Sequence, residues 1–239
     1  MILQLKNVSL IKNKKFILKD LDWEVKKGEH WVILGSNGSG KTMLLKMLAG
    51  YLWPSRGKIT LLGEKFGETD IGKLRQLIGW VSFDLQSRMP EEFKALDIVL
   101  SGYFGSIGLY KQPRKELIKK AQQALVEVGL MDFGDRSFAT LSYGEQKLVL
   151  IGRSLINQPK LLMLDEPCSG LDLKAIASFL ELIEKLAKKN SPTIIFVTHH
   201  LEEIVPDISH ILALKKGRVI GKGVRKDMLK EDLIDKLYE

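Results

Sequence analysis

Apolar positions along the chain follow two periods, and the change from one to the other divides it. Near the start they alternate. Ile2-Leu3-Gln4-Leu5 and Val8-Ser9-Leu10-Ile11 come first, then Phe16-Ile17-Leu18 and Leu21-Asp22-Trp23-Glu24-Val25. A period of two is that of strands with one covered face. Asn13 among lysines and Lys27-Gly28 read as turns. The first thirty residues therefore predict a small, mainly antiparallel sheet. It leads into Trp31-Val32-Ile33-Leu34, an unbroken apolar run read as a buried strand. Pro54-Ser55-Arg56-Gly57 is a turn before a strand at 58–62. Leu77–Ser82 and Leu161–Leu164 read as core strands, and Thr193–Thr198 as one covered on both faces of a parallel sheet. Ile208–Leu214 and Arg218–Ile220 are shorter strands flanking Lys216-Gly217.

The helical period appears at Met43–Ala49, with Leu44 and Leu48 on one face. It returns at Glu116–Val128, whose stripe is Leu117, Ala121, Ala124, Leu125 and Val128. A helix opening near Ser142 places Leu148, Ile151 and Leu155 together. Another, Leu173–Lys189, does the same with Ile176, Leu180, Ile183 and Ala187, and Asn190-Ser191-Pro192 ends it. The last seventeen residues are charged and helix-like. Strand alternation is nearly absent from residues 84–157, which read as a helical subdomain inserted into an α/β core.

The chain has 239 residues, 45% hydrophobic and 28% charged, a globular composition. No apolar run reaches the roughly 18–20 residues that span a bilayer. No signal-peptide core opens the chain. The expected location is cytoplasmic, with peripheral attachment at the inner face of the cell membrane as the variant. A single cysteine, Cys168, leaves no internal disulfide. The net charge is +8. The lysines are scattered beside acids and form no arginine-rich or aromatic-interleaved patch, so the surplus reads as solvated surface and argues against nucleic acid.

Gly35-Ser36-Asn37-Gly38-Ser39-Gly40-Lys41-Thr42 lies between the strand at 31–34 and the helix from 43. Strand, glycine-rich turn and helix are the context that a G-x-x-x-x-G-K-[ST] phosphate loop requires. Backbone N–H groups of the turn point at phosphate oxygens. Lys41 is placed to neutralise the β- and γ-phosphates of a nucleotide and Thr42 to bind Mg²⁺. The run 161–164 ends in Asp165-Glu166. Behind a phosphate loop, Asp165 fits the Mg²⁺-holding acid and Glu166 the group that polarises the attacking water; otherwise the pair is two solvated acids. His199-His200 close another strand. His199 fits a contact to the γ-phosphate or the water, in preference to zinc, for which no third ligand stands at motif spacing; His200 reads as a flanking residue. Leu141-Ser142-Tyr143-Gly144-Glu145-Gln146 opens a helix, with Ser142 and Glu145 in capping-box spacing. Alone it reads first as a well-capped helix; beside a phosphate loop it says more, because a helix N-terminus is also an anion site.

In that order and over nearly the whole length, the motifs resemble those of ABC-type ATPases. Gly35–Thr42 is similar to Walker A and Leu141–Glu145 to the LSGGE form of the signature, with Tyr143 in place of the first glycine. Leu161–Glu166 is similar to Walker B with the catalytic glutamate, Ser169–Asp172 to the D-loop and His199 to the switch histidine. The resemblance implies a single domain over 1–239, a P-loop NTPase (RecA-like) core. Residues 1–83 would hold the antiparallel sheet and the first part of the core, 84–157 the helical subdomain, and 158–239 the rest. It implies head-to-tail pairing with a second copy or a homologous ATPase domain. Each ATP would lie between Walker A of one chain and Ser142 and Gly144 of the other, with Asp172 linking the sites. A separate membrane permease subunit is implied as partner; the alternative is a soluble ABC ATPase acting in repair or another mechanical task. Two departures stand out. Ile11-Lys12-Asn13 occupies the place of the adenine-stacking aromatic, the nearest ring being Phe16. Phe83 stands where a Mg²⁺-contacting glutamine is usual, and Gln86 follows three residues later as the candidate. Gly28–Trp31, Leu52-Trp53-Pro54, Ile78–Ser82 and Ser101–Leu109 resemble a narrower group of stand-alone molybdenum-transport and photorepair-type proteins; no substrate follows from that.

Overall fold

The structure, a computed structural model, describes residues 1–109, 112–189 and 192–229 together with Asp235 and Leu237. Two sheets organise it. The first is antiparallel, in the order β2 (Lys15–Val25), β1 (Leu3–Lys12), β4 (Arg56–Leu61), β5 (Glu64–Lys65). The second runs β10 (Arg218–Val224), β9 (His210–Lys215), β3 (Trp31–Leu34), β8 (Thr193–Thr198), β7 (Leu161–Asp165), β6 (Ile78–Val81). All its neighbours are parallel except β9 and β10.

The unbroken apolar runs are explained by what covers each face. Successive strand residues point to opposite sides. Val32, Leu34, Leu162, Leu164, Ile194 and Phe196 belong to a core shared with the helices. Trp31, Ile33, Leu161, Met163, Ile195 and Val197 belong to another, shared with the antiparallel sheet and with α1 (Lys41–Leu48). Neither face meets water, so neither needs polar residues.

Between β6 and β7 the chain forms α3 (Phe83–Gln86), α4 (Ala95–Phe104), α5 (Lys115–Glu127) and α6 (Tyr143–Leu155). Then come α7 (Leu173–Lys188) and α8 (Arg225–Met228). The fold is the α/β P-loop class read from the sequence.

Several local readings change. The paired runs at 2–5 and 8–11 form one strand, with register shifts after Leu5 and after Val8 and a left-handed Asn7 (φ 49°). Likewise 16–18 and 21–25 join through Asp20 at φ 52°. The buried side of α7 is Phe179, Leu182, Ile183, Leu186 and Ala187, rotated from the predicted stripe; Ile176 and Leu180 are only partly covered. On α6 Leu148 is likewise only partly covered, while Val149, Leu150 and Ile151 are all buried. A short helix unread in the sequence, α2 (Ile71–Gln76), is capped by Asp70. The Asn190-Ser191 stop and most of the charged tail lie outside the described residues.

Candidate functional site

The phosphate loop is shaped by close packing. A Cβ on Gly35 would stand 2.2 Å from the Leu214 carbonyl oxygen. Gly40, at φ +104°, faces Leu18 so closely that a Cβ would meet its Cδ2 at 2.7 Å. Gly40 also begins α1, with no side-chain cap and no acid in the first turn. The N–H groups at this helix start are therefore open to an anion. By contrast, Asp70, Ser142 and Asp172 cap α2, α6 and α7. Lys41 is 4% exposed, and its Nζ donates to the Gly35 carbonyl at 2.8 Å and that of Ser36 at 3.2 Å. These features fit the phosphates of a nucleotide.

The acids stand opposite. Thr42 Oγ1 donates to Asp165 Oδ1 at 3.2 Å. Burial is the main cause raising the Asp165 carboxyl to about 6, offset in part by the Thr42 bond. A hydroxyl and a carboxylate form an all-oxygen donor set suited to a hard cation such as Mg²⁺. Glu166 Oε1 lies 3.3 Å from Lys41 Nζ and 3.5 Å from His199 Nδ1. Its backbone is left-handed (φ 46°), unusual for a residue with a side chain. The Glu166 N–H donates to Val197 O at 3.0 Å and its carbonyl accepts from Ser169 N at 3.2 Å, which fixes that conformation. The structure thus brings Lys41, Thr42, Asp165, Glu166 and His199 together. His200 turns aside to Glu202 at 3.2 Å.

Gln86 joins this group. It is 6% exposed, and its amide donates to Gln146 on α6 at 2.9 Å. With Asp165, Glu166, Tyr143 and Lys147 it lines a cavity of about 290 Å³. Phe83, in the place of the usual glutamine, is 68% exposed. The four-residue α3, capped by Ser82, turns the chain so that Gln86, three residues on, reaches inward.

Ser142, Gly144 and Asp172 form a second group, at the starts of α6 and α7. Ser142 and Glu145 make the reciprocal capping box at 2.7 and 3.3 Å. A Cβ on Gly144 would lie 3.6 Å from Leu171 and 3.5 Å from Ala175, and Asp172 caps α7 by accepting from Ala175 N at 2.8 Å. The signature-like turn and the D-loop-like segment are neighbours within one chain. At the other end of the phosphate loop, Phe16 is 44% exposed with Lys19 Nζ 4.9 Å from its ring centre. The Gly40–Leu18 contact holds this part of β2 against the loop.

Comparison with known proteins agrees with this geometry. Residues 18–169 match the family described as ABC transporter. YlmA of Bacillus subtilis, an ABC transporter ATP-binding protein, is 46% identical over 100% of this chain and 91% of its own length. Among solved structures, cbiO1 from Clostridium perfringens, part of the ABC transporter complex cbiONQ, superposes with a TM-score of 0.82 at 31% identity. It covers 98% of this chain and 93% of that one. The dimeric bacterial cassette MJ0796 gives 0.80 at 27% identity, over 93% of this chain and 98% of that one. Phosphate loop, paired acids and signature-like turn on this fold place the chain in the ABC transporter family, as an ATP-binding cassette with ATPase activity.

Proposed function

We propose that the chain hydrolyses ATP with Mg²⁺ as one half of a head-to-tail dimer, as the ATP-driven subunit paired with a separate membrane permease. The observation that carries the reading is the split of the site into two groups. Lys41, Thr42, Asp165, Glu166 and His199 converge on one strand-end surface. Ser142 and Gly144 pack instead beside Leu171 and Ala175. One chain carries the parts of a nucleotide site in two places, and two copies related by a two-fold axis complete both. MJ0796, a dimeric cassette, supports the pairing.

In this reading the Gly35–Thr42 backbone and Lys41 hold the phosphates. Thr42 and Asp165, with Gln86 at the cavity wall, would hold Mg²⁺, which would supply positive charge to offset that of the phosphates. Glu166, kept ready by its fixed backbone, accepts a proton from the attacking water, and His199 orients that carboxylate and the γ-phosphate. Ser142 and Gly144 meet the nucleotide of the neighbouring copy, and Asp172 sits at the junction between the two sites. Residues 84–157 act as the helical subdomain of one cassette. The permease partner is supported by cbiO1's place in a transporter complex and by a cleft of about 830 Å³ flanked by Tyr51, Trp80 and Phe104. Lys46, Lys73, Arg75, Arg88 and Arg153 line it against two acids, Asp70 and Asp84, a surface suited to an acidic, partly apolar segment of a permease. Such a subunit works at the cytoplasmic face of a membrane; no described helix is itself long and apolar enough to cross one.

The test is Glu166→Gln. Turnover should fall by about 100-fold or more while ATP drives the protein to a dimer on size exclusion. A variant that hydrolyses ATP at the normal rate removes Glu166 from the mechanism; one that stays monomeric with ATP refutes the pairing.

A further inference from the structure

One lysine of α6 is buried by the fold. Lys147 is 4% exposed. Its Nζ donates to the carbonyl of Pro167 at 2.6 Å and to that of Ser169. These two residues flank Cys168 in the loop that leaves β7 directly after Asp165 and Glu166. Among the described residues no carboxylate lies within ion-pair distance of this ammonium; it rests on two carbonyl dipoles and an aromatic face. The face is that of Tyr143, one helical turn earlier, whose ring centre is 4.7 Å from Nζ. The same ring fills the space beside Gly170, where a Cβ would stand 3.0 Å from Cε1. Lys147 and Tyr143, four apart on one helix face, thus hold residues 167–170, the first by hydrogen bonds and the second by packing. Glu203, 7% exposed, faces Lys147 and Cys168 closely enough for both to feel its charge. It also accepts from Thr198 Oγ1 at 2.5 Å, beside His199. Burial lowers the Lys147 ammonium to about 8, which leaves it mostly charged at neutral pH.

We propose that Lys147 is a positioning residue for hydrolysis. It clamps the loop that sets Glu166 to the helix that carries Ser142 and Gly144, with Tyr143 as the second jaw. A signature turn engaged on a neighbouring copy's nucleotide and the carboxylate of this chain's own site then keep one relative position. The inference rests on the roles proposed above for Glu166 and Ser142. A lysine that merely fills space would need neither the paired carbonyls nor the ring, because a flexible amine near a surface ordinarily carries its charge out to water.

The experiment uses the full chain with ATP and Mg²⁺. Lys147→Met keeps an unbranched stem and removes the charge and donors. It should lower kcat by about 10- to 100-fold, the cost of a catalytic group displaced by about 1 Å. KM for ATP should stay within about two-fold, because the phosphate loop is untouched. In a Glu166→Gln background the ATP-driven dimer should still form. Lys147→Arg, which restores charge and donors, should recover a substantial part of kcat. Tyr143→Ala should lower kcat in the same way, with Tyr143→Phe keeping most of it. Wild-type kcat in Lys147→Met overturns the proposal. So does a loss of kcat matched by a loss of nucleotide affinity, which marks a purely structural role. If Lys147→Met does not fold, the Tyr143 pair decides, and equal rates in the two overturn it. Retained turnover in Glu166→Gln is a separate result; it refutes the underlying reading and the clamp with it.

Discussion

Asp165→Asn is expected to make the protein more stable and catalytically dead. The side chain is 8% exposed, and its carboxyl is raised from 3.8 to about 6, mainly by burial. At pH 7.5 the folded state carries an anion that the unfolded chain holds more cheaply. A pKa unit is worth about 1.4 kcal/mol, so a shift of roughly two units costs about 3 kcal/mol. The sign follows from proton counting. Between pH 3.8 and about 6 the folded state keeps a proton that the unfolded state has released, so this group's contribution falls as pH rises through that window and stays lost above it. Asparagine has nearly the same shape, keeps an oxygen for the Thr42 hydroxyl and has no charge to desolvate. Urea unfolding in EDTA at pH 7.5 should show the variant more stable by about 2–3 kcal/mol, or a melting temperature higher by roughly 5–10 °C. At pH 4.5 the gap should shrink to about 1 kcal/mol, since wild-type Asp165 is then largely protonated when folded. Mg²⁺-dependent ATP turnover should be lost. A variant less stable than wild type at pH 7.5, or a gap that does not change with pH, would refute the burial argument.

Other outcomes follow from single contacts. Burial holds the His30 imidazole below its usual 6.5 while Nδ1 accepts the Ile194 N–H at 3.0 Å. The unfolded chain therefore takes up that proton first, and stability should fall as pH drops below 6.5; His30→Asn should flatten this slope in melts between pH 7 and 5. Gly40→Ala, forced to φ +104° and into Leu18, should cost about 1–3 kcal/mol of stability and lose nucleotide binding by fluorescent-ATP titration. Ser142→Ala removes a helix cap, worth about 1 kcal/mol in thermal melts. If Phe16 is the base platform, Phe16→Ala should raise KM for ATP by about five-fold, the lower end of a base–aromatic stack; an unchanged KM places the base elsewhere.

Legibility in the sequence tracked distance along the chain. Gly35–Thr42, Asp165-Glu166 and the Ser142–Glu145 cap are local patterns, each carrying its own geometry. The inner strands were legible because an apolar run of four to six residues has few other homes. Their division between two cores was not, since only the completed sheet shows which residue faces which layer. Gln86 was displaced from its expected slot by a four-residue helix too short to leave a periodic signal. Helix α2 leaves no periodic signal for the same reason, with Gly72 in its first turn. Lys147 looked like any other lysine, because the carbonyls that hold it lie twenty or more residues away.

The strand order also bears on biosynthesis. β3, which presents the phosphate loop, is paired on both sides by strands made near the end of the chain, β8 and β9. While a ribosome is still adding residues before Thr193, the glycine-rich turn has been synthesised but the walls of its strand have not. Pairings of such long sequence separation form slowly, and half-made sheets expose apolar edges. The nascent cassette therefore carries β3 without its two parallel neighbours until residues 193–215 have been made. Competence for ATP should appear abruptly, once Lys215 has cleared the exit tunnel.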